Sequence, residues 1–369
     1  MSRSAPSPLP HSLLPRDTPV QLIDADGAVS SDPEFPLPDR ETLQRAYAGL
    51  VNGRRINDQC NALVRQGRLA VYPASTGQEA CQVAAALCLE RGDWLFPTYR
   101  DSVAVIARGV APANAMVLLR GDWHTGYDPA EYGIAPQATP LATQLLHAVG
   151  FAHAARLRGE DTVVLAMCGD GATSEGDFHE AMNFAAVFHL PVVFFVQNNE
   201  FAISVPLSRQ TAAPSLAHKA IGYGMPGQRV DGNDVAALLS VLGAAVDRAR
   251  AGNGPSLIEA HTYRMLAHTN ADDDTRYRER DAVQAWVGRD PLARLRTHLR
   301  DAGDLTEADE AELTAAAEEI ASELRYAMNS DPELDPEDLF AHVFAQRPEM
   351  LDAQWDILRD EIERTEVES

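Results

Sequence analysis

Two uninterrupted apolar runs, 162–168 (TVVLAMC) and 191–196 (PVVFFV), flank a helix-forming stretch over 175–189. A strand that is apolar on both faces has no side left for water, so it must lie inside a sheet covered above and below. Strand–helix–strand alternation then predicts parallel pairing: an α/β fold with a doubly wound parallel sheet and flanking helices. The pattern continues downstream, where 235–251 reads as a helix capped by Asn233 or Asp234, and 256–263 (SLIEAHTY) as a further strand. Upstream, apolar residues recur at helical spacing from 40 to about 68: Leu43, Tyr47, Leu50, Val51, Ile56, Leu63 and Val64. A second helix is expected over 77–89, a short strand at Trp94–Phe96, and helices near 99–109 and 112–120.

The two ends read differently. Residues 1–38 hold many of the prolines (Pro6, Pro8, Pro10, Pro15, Pro19, Pro33, Pro36, Pro38) and little periodicity, as a flexible arm would. The α/β domain is expected over 39–330 and a helical tail over 331–369. Residues 266–280 form a polar loop in which Asp272, Asp273 and Asp274 face Arg276 and Arg278. With almost nothing apolar to bury, such a segment is expected to be a mobile lid. Beyond it the chain reads as helical, with Thr306 and Asp309 spaced as a capping box.

Composition excludes some functions. The 31 basic against 54 acidic residues give a formal charge of −23, so no basic stripe exists to neutralise nucleic-acid phosphates. The same charge favours a basic partner segment. No apolar run approaches the roughly 18 residues of a membrane span. No signal-peptide core follows Arg3 and Arg16, so a cytoplasmic location off the membrane is expected. Cys60, Cys81, Cys88 and Cys168 include no C-x-x-C pair and read as reduced core thiols.

The chemistry is concentrated where the two apolar runs end. The first runs into Gly169-Asp170-Gly171-Ala172-Thr173-Ser174-Glu175-Gly176, and the second into Asn198-Asn199. In a parallel sheet these places are the carboxyl ends of adjacent strands, where doubly wound folds bind ligands. Glycines on both sides of Asp170 let backbone approach a bulky anion. Mg²⁺ takes roughly six oxygens in octahedral array. A carboxylate from Asp170, an amide oxygen from Asn199 and a backbone carbonyl supply part of that set, and a diphosphate can supply more. A turn after a core strand would explain a bare G-D-G equally well. The N-N pair at the end of the next strand makes the pattern far more specific.

The segment GDGATSEGDFHEAMNFAAVFHLPVVFFVQNNEFAIS resembles the α subunits of pyruvate and branched-chain 2-oxo acid dehydrogenases. The likeness runs from about 60 to 345, through LVRQGRLAVYPASTGQEA, WLFPTYRD, TPLATQ, GYGMPGQRVDGNDV and HTNADDDTRYR. It implies that 39–330 binds thiamine diphosphate and Mg²⁺, with Asp170, Asn199 and the Phe201 carbonyl on the metal. Gly169, Gly171 and Ala172 would line the cofactor, and Tyr99 and Arg100 would hold the diphosphate. Leu141 would wedge the cofactor into its bent shape. His268 would contact diphosphate or substrate from a loop shared with Arg276, Tyr277 and Arg278. Leu266-Ala267 precede this histidine where family members often have Gly-Pro or Gly-His. His147, His153, His179 and His189 read as structural or surface residues.

The implied reaction is oxidative decarboxylation of a 2-oxo acid, with acyl transfer to the lipoyl group of a separate acyltransferase. Branched-chain substrates are favoured over pyruvate on the resemblance of PVQLIDADGAV and RGDWHTGYDP. The implied partner is a β subunit in an α₂β₂ heterotetramer, and no second α/β domain is visible that could replace it. The stretch 181–188 is open to two readings, interface or own core. An acetoin-cleaving or transketolase-like enzyme is the alternative within thiamine chemistry. A nucleotide-binding regulatory module would need a G-x-G-x-x-G or Walker loop, and neither is found.

Overall fold

The computed structural model describes residues 13–122, 125–330 and 335–368. Its centre is a five-stranded sheet in the order β1-β2-β3-β7-β6. These strands are Trp94–Phe96 (β1), Val164–Gly169 (β2), Val192–Asn198 (β3), Gly227–Asp231 (β6) and Ser256–His261 (β7). Every pairing in the sheet is parallel. Phe201–Ala202 (β4) and Val205–Pro206 (β5) form a small antiparallel hairpin after β3.

The apolar runs divide their side chains between two cores. Val164, Ala166, Cys168, Val192, Phe194, Val196 and Leu257 face one core, which the helices Thr143–Arg158 and Gly176–Val187 cover. Leu165, Met167, Val193, Phe195, Ile258 and Ala260 face the other, under the helices Arg40–Arg65, Glu79–Leu87 and Val235–Arg250. In β2 and β3 this period-two division is why 162–168 and 191–196 read as continuous apolar runs, while β7 carries the buried Glu259 between Ile258 and Ala260. The helix following β2 and the helix following β6 thus lie on opposite faces, which opens a crevice at the carboxyl ends. Cys60, Cys81, Cys88 and Cys168 are all free thiols.

Local expectations hold in detail. Asp234 is the residue that caps Val235–Arg250, accepting from the backbone N–H of Ala236 and Ala237. Asn233 instead donates to carbonyl oxygens of Gly77 and Arg289. The Thr306–Asp309 capping box starts the helix Glu307–Asn329. In the helix Gly176–Val187, Ala181, Met182 and Ala185 are buried in the chain's own core, whereas Phe184, Val187 and Phe188 are exposed. The own-core reading of 181–188 therefore holds for Ala181, Met182 and Ala185, and only Phe184, Val187 and Phe188 stay open to the interface reading. No helix among the described residues is long and apolar enough to cross a membrane.

Three features depart from the sequence reading. The helix Thr143–Arg158 buries Leu145, Ala148, Val149, Ala152 and Ala155, a helical stripe that small residues made faint. Strand β6 (GQRVD) carries a single large apolar residue, Val230, because it is an edge strand of the sheet rather than a central one. The flexible-arm expectation for 1–38 is corrected over 13–38, while residues 1–12 lie outside the described residues. Val20 bridges in parallel to Val230, and Val20, Leu22, Ile23 and Phe35 are buried. The buried Asp234 carboxylate accepts from the N–H groups of Leu22 and Ile23 at 2.7 and 2.8 Å, which fastens the segment down. Prolines remove backbone donors, and the buried ones that remain are satisfied by the Arg229 carbonyl for Val20, the Asp24 carbonyl for Gly27, and the carboxylates of Asp234 for Leu22 and Ile23 and of Asp32 for Phe35.

Candidate functional site

A cleft of about 440 Å³ is walled by the turns that follow the carboxyl ends of β1, β2 and β3 and by the loop after β7. Tyr99, Arg100, Leu141, Gly169, Asp170, Gly171, Ala172, Asn199, Phe201 and His268 all line it. The sheet explains the convergence, because parallel strands end at one edge and their turns share one side. Asp101, fully buried, secures the turn after β1 by accepting from Thr98 N–H at 2.7 Å, Gln82 at 3.1 Å and Gln197 at 2.7 Å. Gly171 allows the β4–β5 hairpin to lie over the turn after β2. A Cβ at that position would stand 2.7 Å from the Ala202 Cβ.

Oxygens gather on the strand side. Asp170 is 1% exposed, and burial raises its pKa, opposed most by a hydrogen bond from Gln210. One terminal atom of the Asn199 amide lies 3.2 Å from both Asp170 Oδ1 and the Phe201 carbonyl oxygen. Taken as oxygen, it faces two acceptors; rotated by half a turn, the amide would donate to both. In an octahedral Mg²⁺ shell, adjacent oxygens stand about 3 Å apart. The trio of carboxylate, amide and carbonyl therefore has the spacing and the chemistry that a hard cation requires. Among the described residues no cluster of three His, Cys, Asp or Glu side chains offers a metal site of another kind.

Cations stand on the loop side. Arg100 donates to the carbonyls of Ala74 and His268 at 3.0 and 3.1 Å and to His268 Nδ1 at 3.0 Å. Arg264 is 1% exposed and donates to the Ile203 carbonyl at 2.7 Å and to the Tyr277 hydroxyl at 2.8 Å. It also reaches the Phe201 carbonyl at 3.4 Å and His268 Nδ1 at 3.3 Å. A guanidinium is a donor only, so Nδ1 must accept and the His268 proton sits on Nε2. Burial, then Arg100 and Arg264, push the His268 pKa down to about 4, so the ring is neutral near pH 7. Burial and the nearby Arg100 also lower the pKa of Arg264. Two guanidiniums whose donors go to carbonyls, one hydroxyl and one imidazole, rather than to carboxylates, form a wall suited to an anion.

The rest of the predicted loop does not reach the cleft. Arg278 is bonded to Asp274 at 2.7 Å and to the carbonyls of Arg264 and Met265, and Tyr277 donates to Asp272. Asp272 in turn accepts from His268 N–H at 2.8 Å. These contacts fold the polar segment onto itself. Gln78, Gln197, Gln210, Arg264 and Ile203 also line the cleft without having been singled out in the sequence. Arg264 had a signal: a cation that directly extends an apolar strand, four positions before His268. Ile203 had none, because its left-handed φ of +54° falls on a residue type that seldom adopts it.

A family profile described as "Dehydrogenase E1 component" matches residues 49–337. The chain is 51% identical over 350 residues to "3-methyl-2-oxobutanoate dehydrogenase subunit alpha" of Mycobacterium tuberculosis, covering 94% of this chain and 95% of the relative. It is 37% identical over 343 residues to "Pyruvate dehydrogenase E1 component subunit alpha" of Staphylococcus aureus, covering 92% of each. With the G-D-G turn, the N-N strand end and the loop histidine brought to one cleft, the chain belongs to the dehydrogenase E1 component family, the thiamine-diphosphate-dependent oxidoreductases of 2-oxo acids.

Proposed function

We propose that this chain is the α subunit of a branched-chain 2-oxo acid dehydrogenase. In this reading it pairs with a β subunit as α₂β₂ in the cytoplasm and binds thiamine diphosphate with Mg²⁺. The acyl product then passes to a lipoyl group of an acyltransferase component. The observation that carries the reading is the opposition, across one cleft, of an oxygen trio and a cationic wall. Identity supports the branched-chain substrate, at 51% to the relative named for 3-methyl-2-oxobutanoate against 37% to the one named for pyruvate. Pyruvate is the second reading, favoured only by that more distant relative.

The residues divide the work. Asp170, Asn199 and the Phe201 carbonyl would hold Mg²⁺, with diphosphate and water oxygens completing its shell. When bound, thiamine diphosphate supplies the nucleophile and electron sink that decarboxylation needs. Tyr99 and Arg100 bind diphosphate charge, and Gly169, Gly171 and Ala172 let backbone come close to it. His268, neutral with its proton on Nε2, donates a hydrogen bond to an anionic oxygen without adding a third positive charge beside Arg100 and Arg264. Leu141, 38% exposed, gives the cofactor an apolar wedge, and with Ile203 and Val205 it keeps water from the reacting atoms.

The test is turnover by the chain, alone and co-expressed with a β subunit, given thiamine diphosphate, Mg²⁺ and lipoyl acceptor. Pyruvate and the three branched-chain 2-oxo acids are compared. Activity is expected only with the β chain, and kcat/KM is expected to be highest for a branched-chain acid. A preference for pyruvate would transfer the assignment to the second reading. Full activity of the chain by itself would remove the β subunit from the mechanism.

A further inference from the structure

Resting on the metal reading of the cleft, we infer that Gln210 is a positioning residue for Asp170 and for the water on its metal. The two oxygens of the Asp170 carboxylate have different duties. Oδ1 faces the Asn199 amide, while Oδ2 accepts from Gln210 Nε2 at 2.9 Å. The same Nε2 donates to the Val205 carbonyl at 3.2 Å, and two acceptors on one atom identify it as the nitrogen. Gln210 is itself held, because its backbone N–H donates to the Leu207 carbonyl at 2.9 Å and closes the turn Leu207–Arg209. The terminal torsion of an aspartate is broad. A fixed donor on Oδ2 is therefore what keeps Oδ1 turned toward Asn199 and Phe201.

The chemistry of an amide suits this place better than a cation. A lysine or arginine on Oδ2 would neutralise Asp170 and weaken its hold on Mg²⁺. A neutral donor orients the carboxylate and leaves its charge for the metal. Gln210 Oε1 is buried and has no partner among the described residues. An unpaired buried acceptor is costly, and a metal-bound water is the donor that an occupied site would bring to it. One side chain thus sets a metal ligand through Nε2 and receives a metal-bound water through Oε1.

The test uses Gln210→Ala and the near-isosteric Gln210→Met, each assembled with the β subunit. Calorimetry measures thiamine diphosphate binding at a series of Mg²⁺ concentrations. Half-saturating Mg²⁺ is expected to rise roughly tenfold to a hundredfold, the usual cost of losing an outer-shell partner. Excess Mg²⁺ should then restore wild-type cofactor affinity and kcat, which a merely structural defect would not allow. An unchanged Mg²⁺ requirement, or a loss that excess Mg²⁺ does not repair, would overturn the role. Metal-independent cofactor binding by the wild type would overturn the metal reading as well, and that arm separates the two failures.

Discussion

The strand-end wall of the cleft and the loop wall are secured by different forces. Asp170 and Asn199 stand at the ends of β2 and β3, whose residues are buried on both faces and paired on both sides. Moving either residue means disturbing two apolar cores. His268 stands on a polar segment fastened by side-chain hydrogen bonds and ion pairs, through Arg264, Asp272, Tyr277, Arg278 and Arg100. Arg264 and Arg278 are buried, but the contacts are polar and the segment anchors no apolar core, so the loop wall is the one expected to open. The comparison teaches that one wall is preorganised for the cofactor, while the other is assembled from charges the cofactor also attracts.

Changes on the rigid wall should have the larger consequences. Asp170→Ala removes the only carboxylate of the oxygen trio and should abolish measurable thiamine diphosphate binding in calorimetry with Mg²⁺. Wild-type affinity in this variant would end the metal assignment. Asn199→Ala removes a neutral ligand, and a weakening of about tenfold is expected. If it equalled the aspartate change, charge would not be what distinguishes the two positions.

On the loop wall, limited trypsin digestion should cut at Arg276, which is exposed, before Arg278, which is 9% exposed and bonded. Cofactor with Mg²⁺ should slow that cleavage several-fold by engaging His268. Equal rates with and without cofactor would mean that the loop is as fixed as the strands.

The smallest effect concerns acid. The folded His268 has a pKa of about 4 against its ordinary 6.5, so between these values only the unfolded chain takes up the proton. Stability from this residue is fully present above about pH 6.5 and falls as the pH drops toward about 4. His268→Gln should therefore lose less melting temperature than the wild type between about pH 7 and about pH 5, by a few degrees. Parallel melting curves for the two proteins would mean that the imidazole is not confined between the arginines.

Legibility followed the same division. The strands β2 and β3 were visible because burial on two faces forces continuous apolar sequence, as in residues 162–168, and β7 because Leu257, Ile258 and Ala260 are interrupted by Glu259 alone. Strand β6 and the bridge at Val20 were not, because a sheet edge tolerates residues such as Gln228 and Arg229. Asp170 and Asn199 carried a local signal at strand ends and glycine turns, whereas Tyr99, Arg100, Leu141 and His268 were reached through the family resemblance, and all of these line one cleft. Gln210 and Arg264 were passed over: a glutamine in a short turn resembles any surface polar residue until its partner is known.

What the sequence determined by itself is the parallel α/β core, the positions of Asp170 and Asn199 at adjacent strand ends, and family membership. The core and the strand ends depend on residues near one another in the chain, where periodicity and spacing act directly, and family membership rests on the resemblance of segments along most of the chain. Tertiary structure alone decided that the Asn199 amide meets Asp170 and the Phe201 carbonyl, and that Arg100 and Arg264 bracket His268 and set its proton on Nε2. It also decided that Gln210 turns the Asp170 carboxylate. These contacts join segments up to 168 residues apart, and hydrogen-bond geometry over such separations is fixed only once the sheet has brought the strand ends together.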